Sequence, residues 1–62
     1  MNKYERQKFK ERTEQLEALG LKLTGDAYNY PKDKIYIDKR SILMYAEQQW
    51  IELISRIRRV VL

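Results

Sequence analysis

The sequence contains no cysteine and no histidine among its 62 residues, and only two glycines and one proline. Without cysteine the chain has neither disulfides nor thiolate ligands, and without histidine a zinc ion would have to be held by carboxylates alone. We therefore expect no metal and no cofactor. A domain of this size buries only about 60% of its unfolded surface, so self-association or docking on a partner is the remaining external source of stability.

The residues that most often carry catalysis are also scarce. The chain has no histidine base, no cysteine nucleophile and no glycine-rich loop that could hold a phosphate. Glu47 is the one candidate acid, because it interrupts an apolar helix face. A long carboxylate in that position more often reaches solvent or an opposite charge on another element. We predict that the protein is not an enzyme.

Long apolar runs are absent as well. The longest covers residues 42–46, far short of the ~20 residues that a membrane span requires. Residues 1–12 offer no apolar stretch that could form the core of a signal peptide. We therefore expect a cytosolic protein without membrane contact. The net charge of +4 is spread along the chain, which permits nucleic-acid binding but does not indicate it.

The N-terminal segment predicts a helix over residues 2–19, because strong helix formers fill it and neither glycine nor proline interrupts it. Its apolar stripe is thin, and Arg12 interrupts it. Gly20 followed by Leu21 is typical of a Schellman motif, in which the residue after the glycine contacts Leu16 in the last turn. We expect the helix to end there.

The central segment predicts short strands over residues 21–24, 27–30 and 34–37, where apolar and polar residues alternate or aromatics cluster. Gly25-Asp26 suits a type II′ turn, and the segment beginning at Pro31 suits a second turn. The simplest interpretation is a three-stranded meander. The alternative is a two-stranded hairpin with residues 25–34 as a loop.

The C-terminal segment predicts one long amphipathic helix over residues 39–61, with Asp38 as its N-cap. The order helix, meander, helix makes the chain a single small α+β domain. The apolar arc of this last helix spans roughly 200°, twice the stripe that a surface helix needs. The central stripe of this helix is predicted to be core and consists of Leu43, Ala46, Trp50, Leu53, Ile54, Ile57 and Val61. Trp50 could also serve as a binding hot spot, because tryptophan is common at such positions.

A smaller flank of the same helix is the candidate protein interface. It consists of Met44, Ile51 and Leu62, together with Arg58, which interrupts the apolar arc. Either the helix forms the whole opposite wall of the core, or this flank contacts another molecule, since exposed apolar patches commonly mark interfaces. We predict a protein partner or a second copy, with the homodimer as the expected oligomer.

Basic and aromatic residues support an alternative function in nucleic-acid binding, because aromatics stack on bases and cations meet phosphates. One set alternates both types in the central region: Tyr28, Tyr30, Lys32, Lys34, Tyr36, Lys39 and Arg40. On a meander its tyrosines would share an exposed face. A second set follows helical spacing on the first helix: Lys3, Arg6 and Lys10. Strand tyrosines, edge lysines and a solvated helix face would look the same.

The function predicted from these features is that of a non-enzymatic module that binds a macromolecular protein partner stoichiometrically, as an inhibitor or regulator. The caps and turns are generic, and no stretch carries a family motif. In size and character the chain is similar to the small accessory proteins of phages and mobile elements, which is an analogy only.

Overall fold

The computed structural model describes residues 1–30 and 35–62. Along the chain the elements are α1 (Lys3–Ala18), β1 (Lys22–Thr24), β2 (Ala27–Asn29), β3 (Tyr36–Asp38), a 3-10 helix (Lys39–Met44) and α2 (Glu47–Val61). The three strands form one antiparallel sheet in the order β1-β2-β3. The α+β class is confirmed, and the sheet is the meander rather than the two-stranded hairpin.

Helix α1 begins at a capping box that the sequence analysis overlooked. The Glu5 backbone N–H donates to Asn2 Oδ1 at 2.8 Å, and the Asn2 N–H donates to Glu5 Oε1 at 3.2 Å. An Asn followed three residues later by Glu is the signature of this motif. Two otherwise unpaired donors of the first turn are thereby satisfied, which fixes the start of a helix whose first turns have few apolar contacts.

The predicted end of α1 is confirmed. Gly20 has a φ of +99°, the left-handed conformation that glycine adopts at little cost. The Leu21 N–H donates to Leu16 O at 3.1 Å and the Gly20 N–H to Glu17 O at 3.0 Å, which is the hydrogen-bond pair of the Schellman motif. Leu16 and Leu21 are both fully buried, so the helix stop also begins the core.

The first hairpin has the predicted two-residue connection, with Thr24 opposite Ala27. Gly25 between them has a φ of +64°, as the first central residue of a primed turn requires. Strand β1 begins one residue later than predicted because Leu21 closes the helix motif, and all three of its residues are exposed. The turn predicted to begin at Pro31 lies outside the described residues.

The prediction of one continuous helix over residues 39–61 is wrong. Asp38 does cap a helix, accepting from the Arg40 N–H at 2.8 Å, but that helix is of the 3-10 type and ends at Met44. Tyr45 and Ala46 are extended, with ψ angles of 132° and 162°. In a straight helix Ile42 would lie roughly 80° from the centre of the buried face. The break turns it into the core instead, where it is fully buried.

The core lies between the inner face of the sheet, α1, the 3-10 helix and α2. In the sheet register Leu23, Tyr28 and Ile37 are direct neighbours and so share one face; of these, Tyr28 and Ile37 are buried. The buried cluster comprises Leu16, Leu21, Tyr28, Ile37, Ile42, Trp50, Ile54 and Ile57. Of the stripe predicted to be core, the residues that are buried are Trp50, Ile54 and Ile57, and those that are half-buried are Leu43, Leu53 and Val61. Ala46 is exposed, because it lies at the break.

Candidate binding surfaces

Arg12 is the charged residue that the sequence analysis missed. Its side chain is only 3% exposed, and its Nη1 donates to two backbone carbonyls, Ile42 O at 2.7 Å and Tyr45 O at 2.9 Å. The guanidinium also lies over the Trp50 ring, 4.8 Å from its centroid, in the arrangement of a cation–π contact. The two carbonyls belong to the segment where the helix is broken. Arg12 therefore supplies hydrogen bonds that a continuous helix would have made internally.

A sequence signal for Arg12 did exist. Phe9, Arg12, Leu16 and Leu19 follow the spacing of one helix stripe, so the arginine lies in line with buried leucines rather than beside them. By residue type alone, Arg12 interrupts the stripe. A buried guanidinium requires oxygen acceptors, and these come from a segment some 30 residues away, which no local pattern indicates.

Glu47 lies at the surface rather than in an apolar cleft. Its side chain is 73% exposed, and its Oε1 is 3.4 Å from Arg12 Nη2 and 3.8 Å from Lys8 Nζ. Burial, the premise of an acid role, is therefore not found. Glu47 is the first residue of α2, where its negative charge interacts favourably with the positive end of the helix dipole. This interaction explains a glutamate at this position without a catalytic role.

Trp50 is core, as predicted for the centre of the stripe, and only 4% exposed. Its indole Nε1 donates to Gln15 Oε1 at 2.7 Å, which satisfies the one polar atom that burial would penalise. Its ring meets that of Tyr45 at a centroid distance of 5.9 Å. Trp50 thus links α1 to α2, and little of its surface is accessible to a binding partner.

The predicted protein interface is exposed but divided. Met44, Ile51 and Leu62 are 81%, 56% and 93% exposed, and Arg58 is exposed as well. Ile51 and Arg58 on α2 and Leu62 at its C-cap lie within about 40° of one another at 100° per residue, so they form one stripe, hereafter the α2 stripe. Met44 lies before the break and lines a separate depression with Ser41, Tyr45 and Gln49.

The two predicted basic sets lie partly on two elements that contact each other, α1 and the 3-10 helix. Lys3, Arg6 and Lys10 are all exposed on α1. An open surface depression of about 530 Å³ involves both elements, and its lining residues are Met1, Phe9, Asp26, Lys39, Arg40 and Leu43. The name basic surface is used hereafter for Lys39 and Arg40 on the 3-10 helix, which line the same depression as Phe9, together with the exposed Lys3, Arg6 and Lys10 on α1.

Arg40 is partly neutralised within that surface. Its guanidinium Nη2 is 3.3 Å from Asp38 Oδ2. The hydrogen bond that Asp38 accepts from the Arg40 backbone N–H, followed by the side-chain contact, lowers the pKa of Asp38 below its ordinary value of 3.8. The carboxylate is therefore charged over the whole physiological range, and it reduces the positive field that an anionic ligand would meet.

The predicted tyrosine face does not form. Tyr28 is 6% exposed and belongs to the core, whereas Tyr36 is 67% exposed. Tyr36 is the register partner of Asn29 and the sequence neighbour of Ile37, so it points to the opposite side of the sheet from Tyr28. Tyr30 is half-buried. Lys32 and Lys34 lie outside the described residues. Bases could not stack on all three tyrosines together.

Neither a metal site nor a membrane span stands out in the part of the chain that the structure describes. Residues 1–30 and 35–62 contain no group of three or more potential metal-ligating side chains, and no helix there is long and apolar enough to cross a membrane. The chain matches no protein-family model, no curated protein and no solved structure.

Proposed function

We propose that this chain is a non-enzymatic protein-binding module that acts stoichiometrically, as an inhibitor or regulator, through the α2 stripe. The observation that carries the proposal is the exposure of two large aliphatic side chains on one side of α2, Ile51 at 56% and the C-cap residue Leu62 at 93%. Arg58 lies between them on the same stripe, and arginine is enriched at protein interfaces.

The energetic argument follows from burial. Covering a fully exposed leucine or isoleucine contributes about 1.5–3 kcal/mol, and a half-exposed isoleucine contributes less. The two side chains together therefore offer roughly 3–4 kcal/mol of gross binding free energy. The long Arg58 side chain can lay its methylenes over them while its charge stays in water. This surface suits a small hot spot rather than an extended obligate interface.

The test compares matched baits in extracts of the native host. The double variant Ile51→Lys/Leu62→Lys removes both aliphatic groups, whereas Val60→Lys makes the same chemical change on the other flank of α2, where Val60 is 54% exposed. We expect wild type and Val60→Lys to retain the same protein and the double variant to lose it. Retention of the same proteins by all three baits would contradict the proposal, provided that circular dichroism shows all three folded.

A second candidate function is nucleic-acid binding at the basic surface of α1 and the 3-10 helix. The observation that favours it is the open depression that the aromatic Phe9 lines together with Lys39 and Arg40, a combination suited to a base and its phosphate. Binding of a labelled oligonucleotide should fall steeply with salt. It should also weaken in Lys39→Glu but not in Lys22→Glu, which makes the same charge change on exposed β1. No binding at low salt would exclude this function.

A further inference from the structure

The outward face of α2 carries opposite charges at its two ends. Glu52 lies in the first half of the helix and Arg59 seven residues later, almost directly along the same line. Ser55, a small and half-buried residue, lies between them. These three residues, with Gln48, Ile51 and Arg56, line a shallow groove on the helix surface. The face therefore has the small Ser55 near its centre, Glu52 towards one end and Arg59 towards the other, with Arg56 about 100° around the helix from Ser55, at its margin.

This arrangement is complementary to itself. If a second α2 packs antiparallel against the first, the two helices are related by a two-fold axis. Each residue then faces the residue of the copy that lies equally far along the helix on the other side of the axis. Glu52 then meets Arg59 of the copy, and Arg59 meets Glu52, when the axis lies midway between them. The same axis brings Ile51 near Leu62 of the copy, which lies two residues, about 3 Å along the helix, from the position directly opposite Ile51. Ionic and aliphatic pairs can thus form in one register.

We propose that the partner of the α2 stripe is a second copy of this chain, packed antiparallel across the outward face of α2. The inference rests on the proposed function, in which this stripe binds protein, and it specifies the occupant. Two Glu52–Arg59 ion pairs between the copies fix the direction of packing. A parallel arrangement in the same register would place Glu52 against Glu52 and Arg59 against Arg59, which like-charge repulsion disfavours.

Both charges are available for this contact. Within residues 1–30 and 35–62 the ion pairs are Lys8–Glu47, Arg12–Glu47 and Asp38–Arg40. Neither Glu52 nor Arg59 takes part in them, and Glu52 is not joined to Arg56, one helical turn away. Both residues are exposed. A dimer would therefore form its ion pairs without breaking any within one copy.

The size of the surface indicates a weak dimer. A standard interface buries about 800 Å² per partner, roughly a sixth of the 4754 Å² that the chain exposes. One face of a helix about 22 Å long covers less than that. We therefore expect reversible association that requires concentrations above about 10 µM, as in transient contacts of this size. Exposed ion pairs should also make it weaker at high salt.

Sedimentation equilibrium from about 10 µM to 1 mM, the range suited to a weak interface, tests the proposal through charge exchange. Glu52→Arg and Arg59→Glu should each weaken dimerisation at least tenfold, because each places like charges opposite one another. The double exchange Glu52→Arg/Arg59→Glu restores both pairs with reversed polarity and should return the dissociation constant to within about threefold of wild type. Glu17→Arg and Lys22→Glu make the same charge changes elsewhere and should dimerise like wild type.

Two results would overturn the inference. One is a wild-type chain that stays monomeric over the whole range. The other is a dimer that the single exchanges do not weaken, or that the double exchange fails to restore in folded protein. The proposed function fails differently: it is lost when Ile51→Lys/Leu62→Lys retains every partner of the wild type. A monomeric chain whose captured partner depends on these two residues would refute the second copy and leave protein binding intact.

Discussion

Removing the Arg12 guanidinium should destabilise the fold by about 2–3 kcal/mol. In Arg12→Met a shorter, unbranched apolar side chain fills part of the space over Trp50, while the carbonyls of Ile42 and Tyr45 lose their donor, which lies at 2.7 and 2.9 Å. A buried acceptor left unpaired costs about 1–3 kcal/mol. The Ile42 carbonyl bears that cost in full. The Tyr45 carbonyl is partly buried and can recover part of its loss from water, and relief of the buried charge offsets some of the sum.

The comparison with Glu47 separates hydrogen bonding from charge pairing. Glu47→Gln weakens the ion pair at 3.4 Å, but that carboxylate is 73% exposed, so solvent screening limits the effect to about 0.5 kcal/mol or less. Arg12→Lys keeps the charge, but its side chain is one bond shorter, so its ammonium cannot reach both carbonyls as Arg12 Nη1 does. We therefore expect an intermediate loss of about 1 kcal/mol for lysine. The predicted order of damage is Met, then Lys, then the Glu47 variant.

Urea denaturation followed by fluorescence measures these differences directly, because Trp50 is the only tryptophan and lies against the Arg12 guanidinium. A domain of this size has a total stability of roughly 3–9 kcal/mol, so a loss of 2–3 kcal/mol moves the midpoint far outside experimental error. A loss below about 0.5 kcal/mol in Arg12→Met would refute the role assigned to the two carbonyl bonds. So would an equal loss in Glu47→Gln, because the ion pair would then dominate.

Three further changes have outcomes that the structure determines. Ala46 is the N-cap of α2 and offers no side-chain acceptor, so Ala46→Ser should stabilise the fold by about 1 kcal/mol, seen as a melting temperature roughly 4–8 °C higher. Gly20→Ala should lower the free energy of unfolding by about 1–2 kcal/mol, because alanine is strained in the left-handed backbone conformation of this position. A steric clash does not contribute, because the added Cβ would lie 3.5 Å from Tyr30, an ordinary contact distance. An unchanged midpoint in urea denaturation would contradict this. Because the pKa of Asp38 is lowered in the folded state, the unfolded chain binds a proton at this carboxyl more tightly than the folded chain does. The carboxylate therefore stabilises the fold above about pH 4, and this stabilisation is lost as the pH falls below that. Asp38→Asn keeps an acceptor for the Arg40 N–H but cannot titrate, and its stability should fall less between pH 5 and 2, a window of about three units, than that of the wild type.

The features that could be predicted from the sequence are those whose causes lie within a few residues. The helix stop at Gly20 and the cap at Asp38 each depend on one short hydrogen-bonded turn, so their residue types suffice. The break at Tyr45 and Ala46 could not be predicted, because these residues tolerate a helix and the competing interactions come from Arg12. Tertiary contacts override local propensity in this way.

The candidate surfaces show the same division. Exposure of Ile51 and Leu62 follows from helical periodicity once α2 exists, and it was predicted correctly. The position of Tyr28 depends on strand register, and one residue of difference moves a side chain to the other face. Its burial could therefore not be derived from the presence of aromatic residues in a strand. The basic surface likewise requires the contact between α1 and the 3-10 helix, which only the fold establishes.

The break that Arg12 stabilises also decides which apolar residues can act together. In a continuous helix Met44 would precede Ile51 by seven residues and extend the stripe to Leu62, about 27 Å in all. With the break, the stripe begins at Ile51 and spans about 16 Å, which is why its specificity must come from charge as well as from apolar area. Met44→Gln should therefore leave dimerisation unchanged within about twofold, whereas Ile51→Gln, an equally polar change, should weaken it at least tenfold, a loss of about 1.4 kcal/mol. Equal weakening by both in sedimentation equilibrium would show that Met44 belongs to the contact, and that the break does not separate it from α2.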